Sequence, residues 1–158
     1  MQIHITIEDG QVRAMLGKLA GRMANPTPAM RVIGEVVRTS IERNFEAGGR
    51  PDKWPLSGRV KSEGGQTLTD KAILRRSFTV RAYPDRAEIG TNVKYAAIHQ
   101  LGGVISAKNR PYLRFKIGDR FVSKKSVTIP ARPFMMVQDD DWPKMTQALG
   151  KFFVDGTA

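Results

Sequence analysis

The chain has 158 residues, 41% of them apolar and 26% charged, with a net charge of +11 and no cysteine. That size and balance suit a single soluble core, and the missing thiols exclude disulfides, cysteine nucleophiles and cysteine-ligated zinc. Apolar runs no longer than FMMV at Phe134 to Val137 exclude a membrane-spanning helix, and the opening MQIHITIEDGQ lacks the basic-then-apolar order of a secretory signal.

Gln2 to Ile7 alternates and predicts a short strand. After Gly10 the period changes. Val12, Met15, Leu16, Leu19 and Met23 mark an amphipathic helix that ends near Asn25-Pro26. Thr27 as N-cap and Pro28 in the first turn open a second helix, with Met30, Ile33, Val37, Ile41 and Phe45 inward and Gly48-Gly49 as its stop. From Gly48 to Leu68 the pattern dissolves into five glycines, two prolines and several charges, with Trp54 and Leu56 as the anchors. So little apolar content predicts a mobile loop. Thr69 or Asp70 then caps a short helix through Ser77, with Ile73 and Leu74 inward.

SFTVRAY, PDR and AEIGTN read as strand, turn and returning strand, pairing Phe78, Val80 and Ala82 with Ala87 and Ile89. Leu113, Phe115 and Ile117 alternate as a half-buried strand, Gly118 to Ser126 reads as a second mobile basic loop or hairpin tip, and Val127 to Pro130 returns as a strand. Asp139 to Asp141 suit the N-terminal dipole of a last helix whose stripe is Met145, Leu149, Phe152 and Phe153. The sum is a single α+β domain over residues 1–158: two N-terminal helices, an antiparallel sheet of about four strands, and a C-terminal helix.

The charge is concentrated. Residues 51–134 hold seventeen Lys/Arg against six Asp/Glu, an excess of eleven that equals the net charge of the whole chain. Such a surface suits a polyanion, nucleic acid first, or simply a soluble basic domain, since no aromatic-interleaved nucleic-acid motif accompanies the charge. A non-specific nucleic-acid-binding protein using this basic middle is the alternative functional reading. A search for chemistry is negative: no phosphate-binding loop, no dinucleotide fingerprint, no metalloprotease or serine-hydrolase context around His4 or His99. Asp139-Asp140-Asp141 has the ligands for magnesium but reads better as a solvated helix start. No enzyme and no cofactor is expected.

Four motifs occur in order between Asn44 and Met135: NFEAGGRPDKWPLS, TLTDKAILRRSF, YAAIHQLGG and IPARPFM. Their succession resembles the phage virion morphogenesis family, the tail-completion proteins of Mu-like phages and prophages. Lys71-Ala72 departs from a frequent Thr-Gly pair, and Met135-Met136 from a common Leu-Gly, both changes of local turn geometry. The resemblance implies a structural protein of the virion, present in the host cytoplasm during assembly. It would complete the tail at its head-proximal end or neck, join head to tail, and contact other tail or neck proteins, with no membrane partner. It also implies a homo-oligomeric ring, a hexamer around the DNA channel.

Within that frame, Trp54, Pro55, Leu56, Tyr95, His99, Gly102, Gly103, Pro130, Arg132, Pro133 and Phe134 are the expected structural and assembly residues. Tyr95 and His99 lie one helical turn apart, and Gly102 and Gly103 permit a left-handed stop. His99 is expected to satisfy a backbone group or to pack at a subunit seam. Pro130, Arg132 and Pro133 stiffen a segment that presents Phe134 to a core or groove, with Arg132 pairing to Glu42 or Glu46. Lys61, Arg75 and Arg76 are expected to pair with neighbouring subunits, and Lys108, Arg110, Lys124 and Lys125 to make non-specific contact with DNA.

Overall fold

The computed structural model of the protein describes residues 8–156, so the strand expected over Gln2 to Ile7 lies outside the described residues. The first two helices form where the spacing predicts them, α1 over Gly10–Ala24 and α2 over Thr27–Ala47. Pro26 rather than Thr27 takes the N-cap position of α2, and no side chain caps it. Gly48 ends α2 in the left-handed conformation (φ 67°), and its N–H reaches back to the carbonyls of Asn44 and Phe45.

Helix α2 is the hub. It buries Ala29, Gly34, Ser40, Ile41, Asn44 and Phe45. On one side lies the hairpin of β1 (Thr79–Ala82) and β2 (Ala87–Gly90), on the other α5 (Asp141–Asp155). The hairpin has the expected register, Val80 opposite Ile89, and Val80 seats on Gly34, where a Cβ would collide with its Cγ1. Helix α1 behaves otherwise. It buries no residue, and Val12, Met15, Leu16 and Met23 are each more than half exposed. Its hold on the body includes Arg22, which donates to the carbonyls of Phe153 and Val154 at 2.5 and 2.6 Å, placing a cation at the negative end of α5.

The segment from Gly48 to Leu68 is not structureless. It contains a third helix, α3 (Gly58–Glu63), whose N-cap Ser57 accepts from the Val60 N–H. Trp54 and Thr67 are buried, and the Gln66 amide donates to the carbonyls of Phe45 and Glu46 at 2.6 and 2.7 Å. Leu56, expected as a second anchor, is 57% exposed. The helix expected from Thr69 or Asp70 does not form. Leu68 and Ala72 sit at positive φ (62° and 55°), which breaks the helical path into turns; Leu74 still reaches the core, whereas Ile73 is left outside.

A short helix, α4 (Ala96–Leu101), precedes four more strands: β3 (Gly103–Ser106), β4 (Leu113–Ile117), β5 (Arg120–Lys124) and β6 (Ser126–Ile129). The α+β class is as predicted, but among the described residues six strands form three two-stranded antiparallel ladders, β1-β2, β3-β6 and β4-β5, in place of one sheet of about four. The last two are one long ribbon. A single run from Arg120 to Ile129 pairs first with β4 and then with β3, and residues 107–112 bulge out of the opposite side. The stretch from Gly118 to Ser126, read as a loop, is therefore mostly strand, with the turn confined to Gly118 and Asp119.

The core is Ile41, Phe45, Trp54, Leu74, Phe78, Ala96 and Phe134. Phe45 is ringed by Trp54, Phe134 and Phe78 at centroid distances of 5.5, 5.2 and 6.1 Å. Such tilted and edge-on contacts add about 0.5–1.5 kcal/mol per pair beyond area burial. Asn44→Ala is expected to lower stability by about 1–3 kcal/mol, because it strands the Phe134 carbonyl inside, whereas Leu56→Ala stays within about 0.5 kcal/mol. Urea denaturation of both variants checks this. Amide hydrogen exchange resolves the expected mobility: Gly49 and Trp54, bonded to the Asn44 and Gly48 carbonyls at 2.8 Å, should exchange more slowly than the exposed residues 61–65, whose Lys61 and Gly64 amides are held only by local bonds to Ser57 and Val60 in the short helix α3.

Candidate functional site

The sequence motifs converge on one place. The strap from Ile129 to Met135 leaves β6 and runs between α4 and the Trp54-Pro55 turn. The Arg132 N–H donates to the His99 carbonyl at 2.7 Å, and its guanidinium Nε donates to the Pro55 carbonyl at 2.8 Å. Gln100 Oε1 accepts from the N–H groups of Phe134 and Met135 at 2.9 and 3.0 Å. Trp54 Nε1 donates to the Pro133 carbonyl at 3.1 Å, and Asn44 Nδ2 to the Phe134 carbonyl at 2.8 Å. Phe134 is fully buried in the aromatic core, as its stiff Pro-Arg-Pro lead-in predicts.

Gly102 makes the close approach possible. Its φ is 73°, and a Cβ there would lie 2.7 Å from the Ala131 nitrogen and 3.1 Å from the Ile129 carbonyl. Gly103 follows as the first residue of β3, paired with Ile129 at the start of the strap. Pro130 is exposed at the strap's entry.

Arg132 finds no carboxylate. Glu42 pairs with Arg38 at 2.6 Å and Glu46 with Arg75, so both expected partners are engaged elsewhere, and the buried guanidinium is held by the Pro55 carbonyl. Burial lowers the Arg132 pKa from its ordinary value. Arg75, expected to reach a neighbouring subunit, is paired within its own chain. His99 meets a backbone group, though not through its ring. Its backbone carbonyl, not its ring, joins the strap; the ring meets Tyr95 edge-on at 5.9 Å, and its buried Nδ1 has no hydrogen-bond partner among the described residues. Burial, and then the charge of Arg132, hold the imidazole below its ordinary pKa.

A second polar network fixes α5. Ser40 Oγ donates to the buried Asp141 carboxylate, which also accepts from the Gln138 N–H at 2.8 Å. Arg50 donates to the Ser40 carbonyl and hydroxyl and to Asn44 Oδ1 at 2.7 to 3.0 Å. Asp140 is tied to Lys144 at 2.5 Å, which holds its carboxyl below the usual range, with Arg50 3.7 Å away. The aspartate run is thus spent on the helix start, and among the described residues no cluster of His, Asp or Glu is arranged to hold a metal. Asn44, Arg50 and Gln100 were not assigned roles from sequence, and Asp141 was read only as part of an acidic helix start. The available signal was a polar Asn44 on the inward stripe of α2, one residue from Phe45.

Lys108, Arg110, Lys124 and Lys125 are all exposed and meet where the ribbon bulges: the Ala107 N–H donates to the Lys125 carbonyl at 3.0 Å, and Lys124 lies opposite Leu113. Among the described residues, no helix is long and apolar enough to cross a membrane.

Comparison with known proteins gives the class of this chain. The chain belongs to the phage virion morphogenesis family, whose model matches residues 7–153. It is 33% identical over 152 residues to the Mu-like prophage FluMu G protein 2 of Haemophilus influenzae, an alignment covering 96% of each chain. No solved structure matches it. Its role is accordingly in phage virion assembly.

The lowered His99 pKa has a consequence for stability. The unfolded chain protonates this histidine near its ordinary value of 6.5 while the folded chain resists, so stability falls as pH drops below that value. Above it, both states are neutral and the contribution vanishes. His99→Gln should therefore lose less stability than the parent between about pH 7.5 and about pH 5, as read from urea midpoints.

Proposed function

We propose that this protein is a structural subunit that completes the phage tail at its head-proximal end, as a hexameric ring at the neck that takes part in joining head to tail. The observation that carries the reading is the open apolar stripe of α1. Val12, Met15, Leu16 and Met23 lie more than half exposed on a helix of fifteen residues, none of which is fully buried among the described residues. An isolated helix of that length is marginal in water, and most helical stability in proteins comes from packing an apolar face. A stripe left open by the monomer is thus a surface for neighbouring subunits. Closed rotational symmetry is the usual way such contacts are repeated without forming filaments. Family membership supports the place in virion assembly. The clasped strap fixes the base of the ribbon rigidly enough for it to act as a connecting element.

Light scattering across a concentration series should show a higher oligomer, and Met15→Asp with Leu16→Asp should shift it toward monomer at unchanged far-UV circular dichroism. A parent protein that stays monomeric at high concentration would count against a self-assembling ring. A phage lacking the gene should accumulate unjoined heads and tails under the electron microscope. Normal yields of infectious particles would overturn the tail-completion role.

A further inference from the structure

The ribbon from Gly103 to Ile129 carries the most concentrated charge in the molecule. Its residues hold seven Lys/Arg against one Asp, a net of +6 out of the chain's +11. Only Lys116 has a carboxylate within ion-pair distance, Asp119 at 3.4 Å. Lys108, Arg110, Arg114, Arg120, Lys124 and Lys125 have none among the described residues. The ribbon touches its own body chiefly through α3, where Ile117 packs against Gly58.

The two faces of the β4-β5 ladder differ. Leu113, Phe115 and Ile117, with Val122 opposite Phe115, are half-buried, and the exposed Arg120 and Lys124, opposite Ile117 and Leu113, edge that same face. The other face carries Arg114, Lys116 and the 65%-exposed Phe121, with the Arg114 guanidinium stacked over the Phe121 ring at 4.7 Å. That stacking holds a cation up on the outer face instead of letting it fold back. The bulge at residues 107–112 adds Lys108 and Arg110 beside Lys124 and Lys125.

We propose that this ribbon is a duplex-DNA-binding arm that grips phosphates without reading bases. A two-stranded antiparallel ribbon is one of the two elements that fit the B-DNA major groove, about 12 Å wide. The run from Arg120 to Ile129 is about 33 Å long at roughly 3.3 Å per residue, enough to follow a groove across several phosphates. Apart from Asp119, Asn109 and Tyr112, its exposed side chains are cations, Ser, Thr and apolar groups. Asn109 is the one side chain between Gly103 and Ile129 with an amide suited to paired contact with a base edge. A second copy of this chain is the poorer partner, because the remainder of the molecule is itself positive, 11 − 6 = +5. Where the arm would meet DNA, in the bore of an assembled particle, rests on the proposed assembly role; the binding itself does not.

The test uses the full chain and fluorescence anisotropy with a labelled duplex of about 30 base pairs, from about 50 to about 300 mM salt. The parent should bind duplexes of unrelated sequence with similar affinity, and log K should fall linearly with log salt. Replacing Lys108, Arg110, Lys124 and Lys125 together by alanine should reduce the slope by about 0.9 for each side chain that reached a phosphate. The control Arg31→Ala with Arg43→Ala, on α2, should leave it unchanged. Circular dichroism and light scattering on every variant separate folding and assembly from binding. No binding by the parent at low salt, an unchanged slope in the arm variant, or a strong preference for one sequence would each overturn the proposal. Loss of the oligomer with DNA binding retained would make the arm a protein interface instead. Failure here leaves the tail-completion reading standing, since that is read from assembly and particle yield.

Discussion

Asn44 sits fully buried in an aromatic core, and its amide has two jobs. It donates to the Phe134 carbonyl and accepts from Arg50. This single side chain ties α2 to the strap that carries Phe134 and to the turn that follows the helix. Remove it and the Phe134 carbonyl has no replacement donor in a pocket walled by Phe45, Trp54 and Phe78. Buried polar groups are expensive when unmet, so the core has one arrangement that satisfies them and few that nearly do. Arg50 extends the same logic to α5, bridging Asn44 and Ser40, while Ser40 holds Asp141.

The strap explains the rest of the architecture. Between Gln100, His99, Pro55 and Trp54 it is hydrogen-bonded along nearly its whole length, and these bonds are made to backbone groups that proline has left stiff and extended. Because β6 enters the strap and β3 leaves α4 through Gly102, the base of the ribbon is anchored at both strands. The far end of the ribbon has no such anchor beyond its contact with α3. Two elements differ from the clasped body in what they expose: α1, whose apolar stripe is more than half exposed, and the ribbon, which is cationic.

His99 illustrates how a chemically suggestive residue becomes architecture. Its ring is packed edge-on against Tyr95, and the group that joins the strap is its main-chain carbonyl. Burial, and then the positive charge of Arg132, make protonation costly.

Helix periodicity was legible in the sequence because a 3.6-residue repeat is a local property; α1, α2 and α5 lie where their stripes and stops predict them. The β1-β2 hairpin was legible for the same reason, alternation flanking a tight turn. The four ordered motifs were enough to suggest the family. What only the tertiary structure decided was which stripes are covered. The stripe of α1 reads like that of a core helix, yet among the described residues only its Leu19 and Arg22 are half-buried, and no local signal tells a covered face from an open one. The turns at Leu68 and Ala72 were equally hidden, since ordinary side chains were placed at positive φ by contacts made elsewhere. The partners of Arg132 and the placing of Lys108 and Arg110 beside Lys124 and Lys125 depend on pairing between segments far apart in the chain. Periodicity records how a segment would fold; the distant segments that meet it decide what its side chains can do.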